Sequence, residues 1–266
     1  MNYTFILGFL FSLFGNQVIA VANKLEHKQK KLLKVSVIIP CSPKHVKHLY
    51  SLLKIYESQT VLPDEVIISI SELRTVDSSI LNSLKKEKWM FSVVFLQSER
   101  KMFAGENRNN ACKHARGDIF ICQDADDLPH PQRIEIIKYF FEKFEVDHLL
   151  HHYIFSDKKL ELSNNIAKID YNFPRNFGEA WKVGPVTFGN PVLHRKVFEK
   201  IQWSSKPRGQ DVEFNSLVYK HFKKCIVVKF PLYIYRTELS SLKFNQLYGF
   251  FRYFVTTQYK KLFPLK

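Results

Sequence analysis

Three aspartates close to one another are the residues of this sequence best suited to chemistry. The acidic cluster is defined by Asp124, Asp126 and Asp127, and it follows the apolar run Ile119–Cys122. Three carboxylates so close together repel one another unless a cation or hydrogen-bond donors lie among them. Oxygen ligands of this kind suit Mg²⁺ or Mn²⁺, which commonly take the rest of their shell from substrate phosphates. The cluster therefore predicts a divalent-metal site; the alternative is a solvated acidic turn before a helix.

Arg108 precedes the acidic cluster in a stretch whose alanines share one helical face. Small residues on that face would let the helix lie close to its neighbours. The planar guanidinium of Arg108 could then bind a diphosphate with two parallel hydrogen bonds. An ordinary surface arginine is the alternative, and the residue alone does not decide between the two.

The elements that must position these residues alternate between strands and helices. Short apolar runs predict buried strands at 35–40, 65–70, 93–96 and 119–122. Helical spacing of apolar or small residues predicts helices at 44–58, within 104–118 and at 129–144. This alternation indicates a parallel, doubly wound α/β sheet. Such sheets bind ligands beyond the carboxyl ends of their strands, which is where the acidic cluster would lie.

The composition is that of a globular protein with a basic surface. The chain has 266 residues, 45% of them hydrophobic, and a formal net charge of +15. Such a charge favours a polyanionic ligand, an anionic membrane surface or nucleic acid. The basic residues are spread along the chain, so nucleic acid is the least favoured partner. The four cysteines form no C-x-x-C pair, which predicts free, buried thiols rather than disulfides or a zinc site.

Both ends of the chain have features of membrane-associated segments. Residues 1–31 contain the apolar run Phe5–Phe14, a small-x-small sequence at Ala20–Ala22, and several lysines. This predicts a cleaved signal peptide, which implies the secretory pathway, or a membrane anchor followed by a basic linker. For an anchor, the lysines would hold the domain on the cytoplasmic face. The aromatic, basic tail at 242–266 could form an amphipathic helix on a membrane or pack against the catalytic domain.

Four motifs, taken in order, resemble the family 2 glycosyltransferases of the GT-A fold. They are Val35–Pro40, Asn107-Arg108-Asn109, Ala115–Asp118 and the Asp124–Asp127 run with its following Pro129. Each motif alone is common, but their order and spacing together are specific. The resemblance implies one GT-A (Rossmann-like) catalytic domain at 32–241, built on a doubly wound mixed sheet.

The resemblance also implies roles for individual residues. The family moves a sugar from a nucleoside-diphosphate sugar, here taken as a UDP-sugar, to a hydroxyl of a glycan, lipid or protein acceptor, with inversion at the anomeric carbon. A bound Mn²⁺ or Mg²⁺ would be held by Asp126, Asp127 and Glu238, the last standing where the family often has a histidine. Asp211 matches the family's general base, although Gln210 replaces the usual Glu. The donor side would consist of Pro40, Ser71, Glu72, Arg108, Asp124 and Ala125.

Two departures from the family pattern leave an alternative open. Glu238 replaces the histidine, and Ser69–Glu72 lacks the Asp that usually contacts the base. A catalytically inactive, nucleotide-binding or scaffold protein with the same fold is therefore the second hypothesis. A phosphohydrolase with an Asp-x-Asp nucleophile fits less well, because the cluster lies in mid-chain and continues into Asp127-Leu128-Pro129.

Overall fold

The computed structural model describes residues 32–156, 158 and 161–236. Its strands are β1 (Val35–Cys41), β2 (Glu65–Ile70), β3 (Ser92–Gln97), β4 (Ile119–Cys122), β5 (Leu128–Pro129), β6 (His148–Phe155), β7 (Tyr171–Asn172), β8 (Val192–His194) and β9 (Cys225–Tyr235). Its α-helices are α1 (Leu49–Glu57), α2 (Ser78–Lys86), α3 (Ala104–His114), α4 (Arg133–Phe144), α5 (Phe177–Trp181), α6 (Arg195–Lys200) and α7 (Gln210–His221). Short 3₁₀ turns occur at Pro43–His48, Leu73–Thr75 and Ile166–Lys168.

The strands form one mixed sheet in the order β3-β2-β1-β4-β8-β6-β9-β5, with β7 paired to β9. Strands β3, β2, β1 and β4 are parallel to one another, whereas β8 is antiparallel to both β4 and β6. The strand order reverses between β1 and β4, which is the position where doubly wound sheets open a crevice for ligands. The predicted doubly wound α/β sheet is confirmed, and the sheet is mixed.

Both faces of the central strands are covered, which explains why these strands appear in the sequence as continuous apolar runs. In β1, Val37 and Ile39 pack into one hydrophobic layer and Ile38 packs into the other. All residues of β1, β2 and β4 are buried. The four cysteines are buried as predicted, and burial raises the pKa of Cys122 and Cys225 to about 12.

Two predicted helices begin later than the sequence periodicity suggested. The first begins with a 3₁₀ turn at Pro43–His48, and regular α-helix starts only at Leu49. The helix predicted from residue 129 starts at Arg133 instead. The chain before it is extended because Leu128–Pro129 pairs with β9 and the His130 N–H donates to the Leu232 carbonyl at 3.1 Å.

The predicted segments at 1–31 and 242–266 lie outside the described residues, and both remain expectations. Among the helices that the structure does describe, none combines the length and the apolar character needed to span a membrane.

Candidate active site

The acidic cluster follows β4, at the carboxyl end of the strand, and Gln123 fixes its backbone. The Gln123 amide nitrogen donates to the carbonyls of Asp124 at 2.9 Å and Asp127 at 3.0 Å. Its carbonyl oxygen accepts from the Tyr56 hydroxyl and from Arg133, whose guanidinium is fully buried. One side chain thereby holds both ends of the acidic turn, with all four of its hydrogen-bonding positions used.

Arg108 joins the acidic cluster to Asp211, the residue that matches the family's general base. Its Nη2 lies 2.9 Å from Asp124 Oδ1, and its Nη1 lies 2.7 Å from Asp211 Oδ1. The arginine side chain is 2% exposed, whereas the two carboxylates are 30% and 25% exposed. A buried guanidinium placed between two partly exposed carboxylates is not the ordinary surface arginine that was the alternative.

Helix α3 presents Arg108 because its small and polar residues dock on the segment before α7. A Cβ on Gly105 would lie 2.6 Å from the Ser204 carbonyl, so only glycine allows this approach. One turn later, the Asn109 side chain donates to the backbone carbonyl of Trp203 at 2.7 Å and accepts from the backbone N–H of Trp203 at 3.0 Å. The predicted close packing of this helix is therefore observed.

The loop before β8 lies beside the carboxylates of Asp124 and Asp211. Asn190 accepts from the Asp124 N–H at 2.9 Å and donates to Asp124 Oδ2 at 3.2 Å. Next to it, a Cβ on Gly189 would be 3.6 Å from the Oδ2 atoms of both Asp124 and Asp211. Because glycine has no side chain there, space remains beside both oxygens.

Asp211 lies in the first turn of α7, whose N-cap is Gly209. Burial raises the pKa of Asp211 above its ordinary value, and Asp124 adds to this, while Arg108 opposes it. Its Oδ1 is held by Arg108, and its Oδ2 faces the space at Gly189. A carboxylate with one oriented oxygen, one accessible oxygen and a raised pKa is suited to accepting a proton.

Both carboxylate oxygens of Asp127 are bonded to β9 and the residue that follows it. It accepts hydrogen bonds from the Tyr233 hydroxyl and, at 2.7 Å, from the Arg236 N–H. Burial, reinforced by the charge of Asp124, raises the pKa of Asp127 to about 8. Both oxygens of Asp127 thus already accept a hydrogen bond, and metal binding by Asp127 stays a prediction.

The Asp126 carboxylate lies beside a histidine from the turn after β1. It is 26% exposed and lies 3.4 Å, Oδ2 to Nε2, from His45. Burial and the charge of Asp124 raise the pKa of Asp126. Within the described ranges, no three His, Cys, Asp or Glu side chains form a metal site. The donor set thus fits a cation held by few protein groups and completed by phosphate oxygens.

Ser71 and Glu72, which were predicted to contact the nucleotide base, directly follow β2. Ser71 accepts a hydrogen bond from the Asn107 amide at 3.3 Å, and Ser69 donates to the same side chain at 2.8 Å. Glu72 is half-buried and adopts a left-handed backbone conformation, with φ of 53°. Pro40 is buried in β1, opposite Ser69 in the strand register. These positions border the crevice, and their donor roles stay predictions.

Two other predicted residues are placed differently. Ala125 is buried in the hydrophobic core, so any donor contact there would have to use its backbone. Glu238 lies outside the described residues. Sequence reasoning missed Gln123, Asn190, Tyr233 and His45. For Gln123 a signal existed, because it is a polar residue at the end of a buried apolar run. His45, in the 3₁₀ turn after β1, and Asn190, in the loop before β8, had no comparable signal.

Comparison with known proteins agrees with this arrangement. The sequence model described as Glycosyl transferase family 2 matches residues 36–202. An uncharacterized glycosyltransferase of Methanocaldococcus jannaschii is 25% identical over 166 residues, which are 60% of this chain and 57% of that protein. The matched region therefore spans little more than half of the relative. The sequence model covers more than half of this chain, and the chain belongs to glycosyl transferase family 2.

Solved structures share the fold. The S. aureus TarS fragment 1-349 in complex with UDP has a TM-score of 0.63 and 16% identity, covering 88% of this chain and 76% of that one. The mannosyltransferase PcManGT from Pyrobaculum calidifontis, in complex with GDP-Man and Mn²⁺, has a TM-score of 0.53 and 14% identity, covering 88% and 68%. The GT-A fold predicted from the motifs is confirmed.

Proposed function

We propose that this glycosyltransferase moves a sugar from a nucleoside-diphosphate sugar to an acceptor hydroxyl with inversion at the anomeric carbon. The observation that carries the proposal is the bridge formed by Arg108. It brings Asp124, at the end of β4, and Asp211, at the start of α7, to one buried guanidinium at the mouth of the crevice. The donor side and a candidate base are thus adjacent.

Asp211 is the proposed general base. An acceptor hydroxyl that attacks the anomeric carbon must lose its proton, and a positioned carboxylate with a raised pKa can accept it. Arg108 orients the carboxylate through Oδ1 and leaves Oδ2 beside the space at Gly189. Inverting transfer needs only this one base, because the sugar passes directly from donor to acceptor.

Asp126 is the proposed metal-binding residue, with Mn²⁺ or Mg²⁺ as the cation. When bound, the cation would neutralise the charge that grows on the departing diphosphate. Asp124 is held by Arg108 and Asn190 and would remain on the nucleoside side of the cluster. Arg108 has two carboxylate partners in this structure, and its fork geometry also suits a diphosphate.

A UDP-sugar is the donor that we propose. TarS fragments have been solved with UDP and with UDP-GlcNAc, and the latter structure has a TM-score of 0.62 to this chain. The GDP-Man complex of PcManGT makes a GDP-sugar the natural comparison in any assay.

The acceptor is proposed to be a glycan, lipid or protein hydroxyl. Residues 1–31 are proposed to direct the chain to a membrane, and full release of the chain by alkaline carbonate would contradict an anchor.

The test is nucleotide release from UDP- and GDP-sugars, measured with and without Mn²⁺ on the full chain. We expect Mn²⁺-dependent release that Asp126→Ala abolishes and that Asp211→Asn lowers about 10²- to 10⁴-fold, the usual contribution of a general base. Glu213→Gln is the matched control, because Glu213 lies in the same first turn of α7 but pairs with Ser204 and Lys206. Normal turnover in both site variants would contradict the assignment. UDP binding without transfer to any acceptor would favour the inactive, nucleotide-binding alternative.

A further inference from the structure

The 3₁₀ turn after β1 places a histidine beside the proposed metal-binding aspartate. His45 belongs to Pro43–His48, which directly follows β1, and the acidic cluster directly follows β4. Because β1 and β4 are adjacent and parallel, both segments leave the sheet at the same edge and at the point where the strand order reverses. The His45 imidazole and the Asp126 carboxylate therefore meet at this edge of the sheet.

The three aspartates differ in what their carboxylates contact. Asp124 accepts from Arg108 and Asn190, and Asp127 accepts from Tyr233 and Arg236. Among the residues that the structure describes, the ionisable side chain paired with Asp126 is His45. Both members of this pair are partly exposed, at 19% for His45 and 26% for Asp126, so solvent and ions can reach them.

The separation of the pair suits two ligands of one ion better than a hydrogen bond. His45 Nε2 and Asp126 Oδ2 are 3.4 Å apart, whereas N–H···O hydrogen bonds are usually about 2.7–3.2 Å long. Two adjacent ligands of an octahedral cation, each about 2.1 Å from it, lie about 3 Å from one another. A shift of a few tenths of an ångström would bring both atoms onto the same ion.

We propose that His45 is a metal ligand, acting with Asp126 to hold the divalent cation of the donor site. The inference rests on the proposed function and adds to it a nitrogen ligand from the turn after β1. Diphosphate oxygens and water complete the shell. Lys44 and Lys47, in the same turn, add positive charge near His45 that suits a diphosphate.

A nitrogen ligand has a consequence for the choice of metal. Mg²⁺ binds almost only oxygen, whereas imidazole raises the affinity for transition metals such as Mn²⁺. The site should therefore prefer Mn²⁺ to Mg²⁺, and removal of the imidazole should weaken Mn²⁺ binding by about tenfold or more while changing Mg²⁺ binding little.

The experiment detects the nitrogen directly. Mn²⁺ is bound to the full chain, alone and with UDP. Electron spin-echo envelope modulation of the bound Mn²⁺ is then recorded, because the ¹⁴N of a coordinated imidazole modulates the echo. We expect the signal in the wild type, a change to ¹⁵N frequencies when the protein is labelled with [¹⁵N]histidine, and loss of the signal in His45→Gln. His48→Gln is the matched control, because His48 lies in the same turn with its ring 6.3 Å from that of His45, and it should keep the signal.

Two results would overturn the inference, and they separate it from the proposed function. Bound Mn²⁺ without a histidine signal in the wild type, or with a signal that persists in His45→Gln, refutes ligation by His45 and leaves the role of Asp126 intact. A spectrum of free Mn²⁺ at saturating protein and UDP refutes both. The isotope-labelled wild type tests for a histidine ligand whether or not His45→Gln folds, and absence of a histidine signal there is sufficient to refute the inference.

Discussion

At the scale of single residues, Gln123 shows how a neutral side chain can control a charged site. It contributes no charge, yet its amide fixes the carbonyls of Asp124 and Asp127. Its oxygen is in turn held by Tyr56 and by the buried Arg133, which also donates to the Cys122 carbonyl at 2.8 Å. The backbone that carries Asp124 and Asp127 therefore depends on a hydrogen-bond network beneath the loop.

Replacement of Gln123 by the similarly sized methionine should destabilise the protein. Gln123→Met would remove a hydrogen-bond partner from the Asp124 and Asp127 carbonyls, the Tyr56 hydroxyl and the Arg133 guanidinium, and each buried group left unsatisfied costs about 1–3 kcal/mol. Because some of them would find water, we expect the free energy of unfolding to fall by about 3 kcal/mol in urea titration. Gln97→Met is the control, since Gln97 is exposed at the end of β3. Equal stability of the two variants would refute the anchoring role.

Contacts of this kind explain which parts of the site could be predicted from the sequence. The aspartates were found because carboxylates crowded after an apolar run are conspicuous, and Arg108 and Asp211 were found through their motifs. The partner of Asp126 is His45, 81 residues earlier in the sequence, and that of Asp127 is Tyr233, 106 residues later. No local pattern encodes such pairings, because they arise only when the sheet brings separate loops to one edge.

At the scale of elements, the position of α3 determines where Arg108 lies. The helix is short of apolar side chains, and its docking depends on Gly105 and on the two hydrogen bonds of Asn109 to Trp203. Trp203 is itself fixed by stacking on Phe214 of α7, with ring centroids 3.8 Å apart. Trp203 therefore positions helices α3 and α7, which carry Arg108 and Asp211, against one another: its backbone bonds to Asn109 of α3 and its indole stacks on Phe214 of α7.

A methyl group at Gly105 should push these helices apart. In a free helix, alanine is favoured over glycine by about 1 kcal/mol, but here the added Cβ would be 2.6 Å from the Ser204 carbonyl and 3.0 Å from Trp203 Cβ. We expect Gly105→Ala to lower the free energy of unfolding by about 1–3 kcal/mol, as overpacking does, and to weaken UDP binding measured by calorimetry. Lys113→Ala, on the exposed side of the same helix, should change neither. An increase in stability for Gly105→Ala would contradict the docking described.

Periodicity located the regular elements well but failed where tertiary pairing decides the conformation. Strand β2 was predicted with its observed limits, since it is a continuous apolar run between turns. Strand β9 was not predicted, because Pro231 interrupts it and prolines argue against central strands. The structure accommodates this proline at a register shift in the pairing with β6, next to His152. The late start of α4 has a similar origin in the pairing of Leu128–Pro129 with β9.

At the scale of the whole molecule, stability should depend on pH through histidines buried in β6. His148 is fully buried, and its Nε2 lies 2.8 Å from Asn215 Oδ1, while Asn215 also donates to the Asp211 carbonyl at 2.7 Å. Burial lowers the pKa of His148 to about 4, against the smaller opposing effects of Asn215 and Asp147. Burial also lowers the pKa of His151 well below its ordinary value.

The sign of the effect follows from where the protons bind. Between about pH 6.5 and pH 4 the unfolded chain protonates His148 and the folded chain does not, so stability is full above pH 6.5 and is lost as the pH falls. We expect His148 to account for about 3 kcal/mol of this loss, measured by urea titration at pH 7 and pH 4. His148→Gln should reduce the loss, and His114→Gln, at an exposed site, should not. An unchanged pH dependence in His148→Gln would contradict the assignment.

The four buried cysteines have a consequence for chemical labelling. Only a thiolate reacts readily with maleimides or disulfide reagents, and burial both shields these sulfurs and raises the pKa of the Cys122 and Cys225 thiols to about 12. The four cysteines of the folded protein should therefore react very slowly with such reagents, whereas all four thiols should react in the unfolded chain. A single cysteine introduced on the surface could then carry a dye or spin label without removal of any native cysteine.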